Sequence, residues 1–583
     1  MKRSEMKPTY KRVLCSRALL TLISFVFAAT QGQLTAEESA AKKEAPLQPK
    51  LMSYKEVFEF DRLLDVNIEI AESDWNKLRH QSRNFATALL KPPPPSPYTW
   101  FKANVTINGK RIENVGVRKK GFIGSQDSQR PSLKIKFDEF EEGQDPIEDV
   151  DRLTLNNNKQ DRGFISQMLT YKLFREAGLP SSRCTLAKVS INGESLGIYT
   201  NVESVKKPML EKNFGDANGK LYEGTVADLF ADKVDALEAK TTDEKDKREE
   251  LLSVAKLVDG KGELDLAELE KHLDVDSFLK FWALESLIGF WDGYTNNQNN
   301  YFVYFHKEDS KLHFMPWGAD AAFSYSGGAK MFKSGPESVH GKSLLANRLY
   351  KAEGVADRYR ETMRELLEGV WDEEAICGEI DRIEKLVEGS LHASQEDSTE
   401  AMEDSREFVN SRRKRIEREL KDWPQQIPRQ PRKPFYSDKV GEATGKFTTK
   451  WFDKDPKEPY DTGTAELELT IDGKPVKFLR LGVYAKLGDR GMGDERPPTV
   501  VFAGKRKSNK IKVTFAVGTD REAFENPNGE PTAAMGGMFE GVWVFGMRIL
   551  GGTITLDEAG LEPGDTVRGS FKVDVVQFKG DMR

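Results

Sequence analysis

Apolar and polar residues alternate with a period of two in the first third of the chain, which predicts β-strands. Residues 66–70 show this alternation, with Val, Ile and Ile on one face and polar residues on the other. Asn-Gly pairs at 108–109 and 192–193 each separate two alternating runs, and this pair is the strongest short signal for a β-hairpin. We therefore predict a sheet-rich N-terminal third.

Apolar residues recur at helical spacing in the segments that follow. One such face lies at 165–173, and we expect its helix to stop at Gly178, which can adopt the left-handed backbone of a helix end. A second helix is predicted around 278–288. Residues 344–420 are charged and periodic with few breakers, which is typical of a largely helical segment. Strands followed by helices predict an α+β domain.

Prolines change the pattern near residue 424 and predict a domain boundary. Four prolines fall within 424–434, and we interpret residues 424–439 as a Pro-rich linker. Beyond it, short alternating runs such as 467–471 and 571–576 are separated by turns rich in Gly, Asp and Pro. This pattern favours an all-β sandwich over residues 440–583, after an α+β domain at 51–423.

The N-terminus has the order of a secretory signal peptide. Basic residues precede an apolar run at 18–29, and small and polar residues follow it, so residues 1–36 are predicted to be the signal. That run is shorter than the roughly 20 residues that cross a bilayer. Residues 37–50 lack an apolar period and are predicted to be a disordered leader. We expect a secreted, periplasmic or cell-surface protein without a transmembrane helix once the signal is removed.

Charge and composition exclude several other classes. The net charge of −6 comes without a basic tract, so a nucleic-acid partner is not expected. Cys184 and Cys377 are too few for a disulfide scaffold, and two separate thiols are a simpler expectation than a pair. The six histidines form no standard zinc-hydrolase motif. A Gly-x-Ser-x-Gly match at 193–197 lies in a predicted hairpin instead of a strand-to-helix elbow, which argues against a serine hydrolase.

Three stretches, in this order and spacing, resemble the CotH kinase-like family. The first is Gly-Val-Arg-Lys-Lys-Gly at 116–121 with Ser-Leu-Lys-Ile-Lys-Phe at 132–137. The second runs from Leu-Asn-Asn-Asn at 155–158 to Leu-Tyr at 221–222, and the third is Trp-Asp-Gly-Tyr-Thr-Asn-Asn-Gln-Asn-Asn-Tyr at 291–301 followed by 314–320. The resemblance covers roughly residues 58–420 and implies an atypical protein-kinase-like fold.

The resemblance also implies which residues perform phosphoryl transfer. Such a site needs a carboxylate to orient the hydroxyl nucleophile and oxygen ligands for a divalent metal ion. Asp292 opens the family-like loop and is the expected catalytic carboxylate, and Asn297 lies five residues on, as in kinase catalytic loops. Asn297 and Asp320 are the expected metal ligands, and the expected cofactors are ATP and Mg²⁺ or Mn²⁺.

Lys134 is the residue that we expect to bind the ATP phosphates. It lies in an alternating strand, a pattern that fits an exposed strand face equally well, and Lys136 and Arg118 remain alternatives. In one respect the chain departs from the family pattern: many members have Asp directly after Pro-Trp, where this chain has Gly318 and retains a carboxylate only at Asp320.

The resemblance therefore implies an exported atypical kinase that transfers the ATP γ-phosphoryl group to Ser or Thr of proteins outside the cytosol. The departure at Gly318 leaves an alternative, a catalytically inactive surface-binding or structural protein. In either case the predicted β-sandwich is expected to be a targeting module, with a cell-surface polymer as its partner, by analogy with other exported enzymes.

Overall fold

The computed structural model describes residues 50–580, except for 92–93, 123, 242–245, 327–334, 489–495, 507–510, 520 and 541–547. The predicted signal peptide at 1–36 and the leader up to residue 49 lie outside the described residues. Within the described part of the chain, no helix is both long enough and apolar enough to cross a bilayer.

The first third of the chain builds a closed barrel of seven strands. Its elements are α1 (Tyr54–Val57), β1 (Leu64–Ile70), α2 (Glu72–His80), α3 (Phe85–Ala88), β2 (Phe101–Ile107), β3 (Lys110–Lys120), β4 (Ser132–Lys136), β5 (Arg152–Asn156), α4 (Ser166–Glu176), β6 (Cys184–Ile191) and β7 (Glu194–Val202).

The strand order of the barrel is β1-β2-β3-β4-β5-β7-β6, and β1 closes it by pairing parallel to β6. Both Asn-Gly pairs form the predicted hairpin turns, and in the first of them Asn108 and Gly109 have φ of 47° and 78°. Such positive φ angles are the reason why Asn and Gly are favoured there. Alternate residues of the strands fill the barrel, as the period of two predicts.

The middle of the chain is a four-stranded sheet of order β11-β10-β8-β9 surrounded by helices. Its elements are α5 (Lys207–Phe214), β8 (Lys220–Gly224), β9 (Glu238–Ala239), α6 (Glu249–Val258), α7 (Leu266–Leu269), α8 (Val275–Leu287), α9 (Tyr294–Asn297), β10 (Tyr301–His306), β11 (Lys311–Pro316), α10 (Leu344–Tyr350), α11 (Val355–Gly369), α12 (Glu373–Val387) and α13 (Ser398–Lys421). The helices predicted at 165–173, 278–288 and 344–420 are confirmed by α4, α8 and α10 to α13. Both Cys184 and Cys377 are free thiols.

Helix α8 lies at the centre of the largest core, and Arg412 of α13 fixes its end. The Arg412 side chain is 2% exposed and donates to the carbonyls of Leu287 (2.7 Å) and Ser286, the last turn of α8. The Leu287 carbonyl has no partner within the helix, so the guanidinium satisfies it, while the Ser286 carbonyl also accepts from the Gly289 N–H at 3.1 Å. Glu337 balances the charge of Arg412 at 2.8 Å and also pairs with Arg415. The loop that leaves α8 therefore starts from a fixed point.

The C-terminal strands form one continuous antiparallel sheet, and the predicted two-sheet sandwich is wrong. The elements are β12 (Tyr436–Lys450), β13 (Gly463–Ile471), β14 (Lys474–Pro475), β15 (Arg480–Leu487), β16 (Pro498–Arg506), β17 (Ile511–Gly518), α14 (Arg521–Glu525), β18 (Pro531–Glu540), β19 (Arg548–Glu558) and β20 (Thr566–Lys579).

The order of this sheet is β14-β13-β12-β20-β19-β18-β17-β16-β15, and it curls so that the end of β12 approaches β15. Trp451 forms a bridge with Ala485, and Thr449 Oγ1 donates to the Val483 carbonyl at 2.7 Å. Alternation shows only that one face of each strand is buried, and a curled sheet buries that face as well as a sandwich does. The mixed α+β class and the β-rich C-terminus are confirmed.

We predict that Arg412→Met lowers the free energy of unfolding by about 1–3 kcal/mol, because it leaves the buried Leu287 carbonyl without its donor and Glu337 with only one of its two arginine partners. Unfolding in urea, followed by tryptophan fluorescence, measures the change. Lys414→Met, at an exposed position of the same helix, is the matched control and should shift stability by less than about 0.5 kcal/mol. Equal effects of the two substitutions would contradict the role of Arg412.

Candidate functional site

The hairpin of β10 and β11 brings together the two segments in which the sequence predicts catalytic and metal-binding residues. The strands pair antiparallel with Tyr301 opposite Pro316, so the loop 292–300 enters and the segment 317–320 leaves at the same end of the hairpin. One further hydrogen bond, from Trp317 N to the Asn300 carbonyl at 3.1 Å, extends the pairing into both segments.

Two buried carboxylates hold the loop 292–300 in place. Glu285, at the end of α8, accepts hydrogen bonds from the backbone N–H groups of Tyr294 (2.9 Å) and Thr295 (2.8 Å), which open the short helix α9. Asp228 accepts from the Tyr294 hydroxyl at 2.8 Å and from Gln298 Nε2 at 2.6 Å. Burial raises the pKa of Glu285 to about 7, and the nearby charge of Asp292 contributes to that rise. Glu285 thus holds the start of α9, and Asp228 holds Tyr294 and Gln298 through their side chains.

Three amide side chains converge on the Asp292 carboxylate. Asn297 and Asn299 donate to Oδ1, the latter at 3.2 Å, and Asn300 donates to Oδ2 at 2.9 Å. Burial raises the pKa of Asp292 above its usual range, although these three hydrogen bonds oppose the shift. The asparagine-rich sequence of the loop therefore has a physical purpose, which is to orient one carboxylate.

Asn297 connects this loop to the Pro-rich segment after α13. Its Nδ2 donates to Asp292, while its Oδ1 accepts from the Arg432 guanidinium at 2.7 Å. Arg432 is 7% exposed and also donates to Gln298 Oε1 at 3.0 Å. The oxygen with which Asn297 would bind a metal ion is therefore engaged by an arginine in this structure, and its role as a ligand stays a prediction.

Asp320 lies within electrostatic reach of Asp292, Asp161 and Lys120. Burial and, to a smaller extent, the negative charges of Asp292 and Asp161 raise its pKa to about 7, although the positive charge of Lys120 opposes the rise. Asp161 is 3% exposed and accepts three backbone N–H bonds where α4 begins, including Ile165 N and Ser166 N at 3.0 Å each. A group of crowded carboxylates of this kind is typical of sites for divalent cations.

Gly318 lies against the same cluster. Its φ is +51°, and a Cβ atom at this position would lie 2.6 Å from Asn300 Oδ1. A side chain at residue 318 would therefore point at the amide that orients Asp292. In this chain the segment supplies its carboxylate from Asp320 instead.

Lys134 lies on the outer face of the barrel within a group of cations. It is opposite Arg118 of β3 in the strand register. Burial lowers the pKa of Lys134 to about 7, and the positive charges of Lys120 and Arg118 contribute. Glu223 of β8 acts in the opposite direction, which places this face of the barrel towards the middle sheet.

Lys120 connects these cations to the carboxylates. Its pKa falls to about 8 because of burial, while the charges of Asp320 and Glu223 oppose the fall. Its Nζ donates to Asn156 Oδ1. Lys120 therefore interacts electrostatically with both Asp320 and Lys134.

The two alternatives to Lys134 have other contacts. Lys136 forms ion pairs with Glu139 at 2.9 Å and Asp138 at 3.4 Å, on the side of the next turn. The Arg118 guanidinium lies over the Trp100 ring at 4.6 Å. The assignment of Lys134 to a nucleotide phosphate stays a prediction.

Sequence reasoning missed three residues of the site. Lys120 stands in a Lys-Lys pair, and only the strand register shows which lysine faces the carboxylates. Asn300 is one of several asparagines in one loop, and the spacing did not distinguish it from Asn297. Arg432 lies in a segment interpreted as a linker, and its burial gives no sequence signal.

Comparison with known proteins shows which family this chain resembles. A family model described as CotH kinase protein matches residues 117–426, just over half of the chain. The match includes every carboxylate and lysine of the site and ends before Arg432.

Two curated relatives are more distant. The inner spore coat protein H of Bacillus subtilis (strain 168) is 23% identical over 228 residues, which are 37% of this chain and 62% of that protein. Spore coat protein homolog 1 of Rhizopus delemar is 22% identical over 234 residues, which are 36% of this chain and 37% of that protein. The matched part thus spans less than two thirds of either relative.

We predict that Asp320→Asn stabilises the chain at pH 8 when divalent metal ions are chelated. The folded state holds a proton on Asp320 up to about pH 7, whereas an unperturbed aspartate releases it near 3.8, so the wild type loses stability as the pH rises between these values. Asparagine has no such loss, and the variant should gain on the order of 1–2 kcal/mol at pH 8 and little at pH 4.

The measurement is the free energy of unfolding in urea between pH 4 and pH 8. Asp404→Asn, at an exposed position of α13, is the control and should give a difference that does not depend on pH. A pH-independent difference for Asp320→Asn as well would contradict the crowding of carboxylates around it.

Proposed function

This chain belongs to the CotH kinase family, and from that premise we propose that it is an exported ATP-dependent kinase. The proposed reaction transfers the γ-phosphoryl group to Ser or Thr of extracytoplasmic or surface proteins. One observation carries the proposal: the carboxylates Asp292 and Asp320 and the lysines Lys120 and Lys134 converge from separate segments. Positioning and neutralisation of charge account for most of the catalysis in phosphoryl transfer, and this group has the parts for both.

The carboxylates fit a divalent metal ion. The pKa of Asp320 is raised to about 7 with Asp292 and Asp161 among its causes, so negative charge is in excess around it. Oxygen ligands of this type are those that Mg²⁺ and Mn²⁺ prefer. We assign Asp320 to hold the ion, which when bound would neutralise charge on the ATP phosphates. Asn297 would become a second ligand of the ion only if its Oδ1 gave up the hydrogen bond from Arg432.

Lys134 and Lys120 would bind the phosphates of the nucleotide. Each has a pKa lowered by burial, to about 7 and about 8. A phosphate nearby favours the charged ammonium form, so binding would restore the positive charge of both side chains. Phosphate binding and protonation of the two lysines are therefore coupled. The affinity for the nucleotide would depend on these local charges and not on the net charge of the protein.

Asp292 would orient the hydroxyl group of the substrate. An ionised carboxylate offers about four lone-pair positions, and three of those on Asp292 accept amide N–H bonds. One position is left for the hydroxyl proton of Ser or Thr. The three amides prevent the carboxylate from rotating, which is the positioning that catalysis of this type requires.

The site of action is proposed from two indications. The N-terminal sequence has the pattern of a signal peptide, and both relatives are named as spore coat proteins. We therefore propose a surface or coat location with protein substrates there. As part of the same proposal, residues 440–583 bind a cell-surface polymer and target the kinase.

A second candidate, an inactive surface-binding protein, is favoured by one specific observation. Gly318 leaves the segment with a single carboxylate, and the Asn297 oxygen is already occupied by Arg432. If the protein is inactive, a variant with Asp292 replaced should bind its partner as well as the wild type does. The two experiments below separate these candidates.

We predict that ATP with Mn²⁺ raises the unfolding midpoint of the full chain by a few degrees, because a ligand that binds only the folded state stabilises it by mass action. Lys120→Met should remove most of this shift, since it deletes the cation between the phosphates and Asp320. Lys136→Met, on a strand of the same barrel but paired with Glu139, should keep it. The same shift in all three proteins would contradict the phosphate site.

We predict that Asp292→Asn reduces phosphoryl transfer about 100-fold or more while leaving the ATP-induced shift of the midpoint in place. Asparagine keeps the shape of the side chain but cannot accept the hydroxyl proton. The measurement is incorporation of labelled phosphate into a Ser- and Thr-containing protein substrate, with the wild type alongside. Equal rates would refute the role of Asp292, and ATP binding without transfer by the wild type would favour the inactive protein.

A further inference from the structure

A second group of metal-ligand side chains lies at the opposite end of the β10–β11 hairpin from Asp292. Tyr304 pairs with His313, so His306, two residues further along β10, lies on the same face as His313. Asp309 lies in the turn between them. Its Oδ2 is 2.8 Å from His313 Nε2 and 3.4 Å from His306 Nδ1, and the three atoms lie within 4.8 Å of one another.

Each imidazole also faces a second carboxylate with its other nitrogen. His306 Nε2 is 3.5 Å from Asp216 Oδ2, and His313 Nδ1 is 3.6 Å from Asp274 Oδ2. A histidine that binds a metal ion usually donates its other N–H to such a carboxylate, which fixes the tautomer and the ring. Both histidines therefore have a carboxylate on the side of such an outer partner, at distances slightly longer than a hydrogen bond.

The rings are held in place by packing. Phe214, at the end of α5, contacts both imidazoles, with ring centroids 5.5 Å from His306 and 5.3 Å from His313. His306 is only 8% exposed, and its Nε2 makes no hydrogen bond to any described residue. A metal ion on Nδ1 would fix the N–H of this ring on Nε2, where it faces Asp216.

A count of protons shows what is missing. A neutral imidazole has one N–H and one lone pair. If the N–H groups of His306 and His313 point at Asp216 and Asp274, both lone pairs point at the Asp309 oxygen, which repels them. If the N–H groups point inward, the lone pairs face the outer carboxylates instead. A second proton on each imidazole removes the conflict, and so does a metal ion between the two imidazoles and Asp309, which leaves both rings neutral.

We propose that this hairpin binds a Zn²⁺ ion through His306 Nδ1, Asp309 Oδ2 and His313 Nε2. Two imidazoles and one carboxylate are a ligand set for zinc, whereas Mg²⁺ and Ca²⁺ prefer oxygen alone. Bonds of about 2.0–2.1 Å place tetrahedral ligands ~3.3 Å apart. The separation of His306 from Asp309 already has that value, and the contact of His313 with Asp309 needs to open by about half an ångström.

The position of the site gives the ion a structural effect. The three ligands close the turn of the hairpin, and the outer carboxylates belong to the segment after α5 and to the N-cap of α8. An ion there joins three elements around the hairpin that carries the Asp292 loop and the Asp320 segment at its other end. The histidines are seven residues apart, in a His-x-x-Asp-x-x-x-His spacing that matches no standard motif, and this is why the sequence did not reveal them.

The test is titration of the metal-free full chain with Zn²⁺, and with Co²⁺ as a spectroscopic probe. We expect one equivalent of Zn²⁺ to bind and raise the unfolding midpoint, and Co²⁺ to give the intense visible bands of a four-coordinate site with nitrogen ligands. His313→Gln and Asp309→Asn, both at the accessible side of the cluster, should each weaken binding about tenfold or more.

Two controls separate this site from other modes of binding. His272→Gln removes a partly exposed histidine outside the cluster and should leave the affinity unchanged. Asp292→Asn should also bind Zn²⁺ normally, because the proposed site is separate from the catalytic carboxylates. The proposal is overturned if His313→Gln binds Zn²⁺ as tightly as the wild type, or if Asp292→Asn loses the binding.

Discussion

The antiparallel pairing of β10 with β11 is the constraint on which the arrangement of the whole site depends. Because Tyr301 is opposite Pro316, two loops that are distant in sequence emerge side by side. The same register places His306 and His313 on one face at the other end. The six residues of β10 therefore separate the group around Asp292 and Asp320 from the group around His306 and His313. Neither group would form if the pairing of β10 with β11 slipped by one residue, because such a slip moves every side chain of a strand to the other face.

A second feature of the site is that like charges lie close together, the carboxylates around Asp320 and the cations around Lys134. Asp320 has two other carboxylates as neighbours, and Lys134 has three other cations, so both ionise with difficulty. Unfavourable proximity of like charges reduces the stability of the fold unless a ligand relieves it, which is why perturbed groups concentrate at functional sites. The barrel supplies the cations and the hairpin supplies the anions, and Lys120 lies where the two meet.

Local signals in the sequence were enough to predict much of the fold. Asn-Gly turns and helical periodicity depend on a few adjacent residues, and both hairpins and the long helices were confirmed. The β-sandwich was not, because alternation reports a buried face but not the sheet that covers it. In the candidate site, Asp292 and Asp320 were predicted from the family resemblance, and their roles stay predictions. Lys120, Asn300 and Arg432 depend on register and on long-range contacts, which no local pattern encodes.

Arg432 has a consequence for how the chain can be divided. It comes from the segment after α13, beyond the part that matches the family, yet its guanidinium contacts Asn297 and Gln298 in the loop around Asp292. A protease that cut between α13 and Arg432 would release the C-terminal sheet together with Arg432. The loop around Asp292 would then lose the guanidinium that contacts Asn297 and Gln298. The part of the chain that matches the family therefore depends, for the packing of its loop, on a residue outside the match, and a boundary drawn at the end of α13 would separate the two.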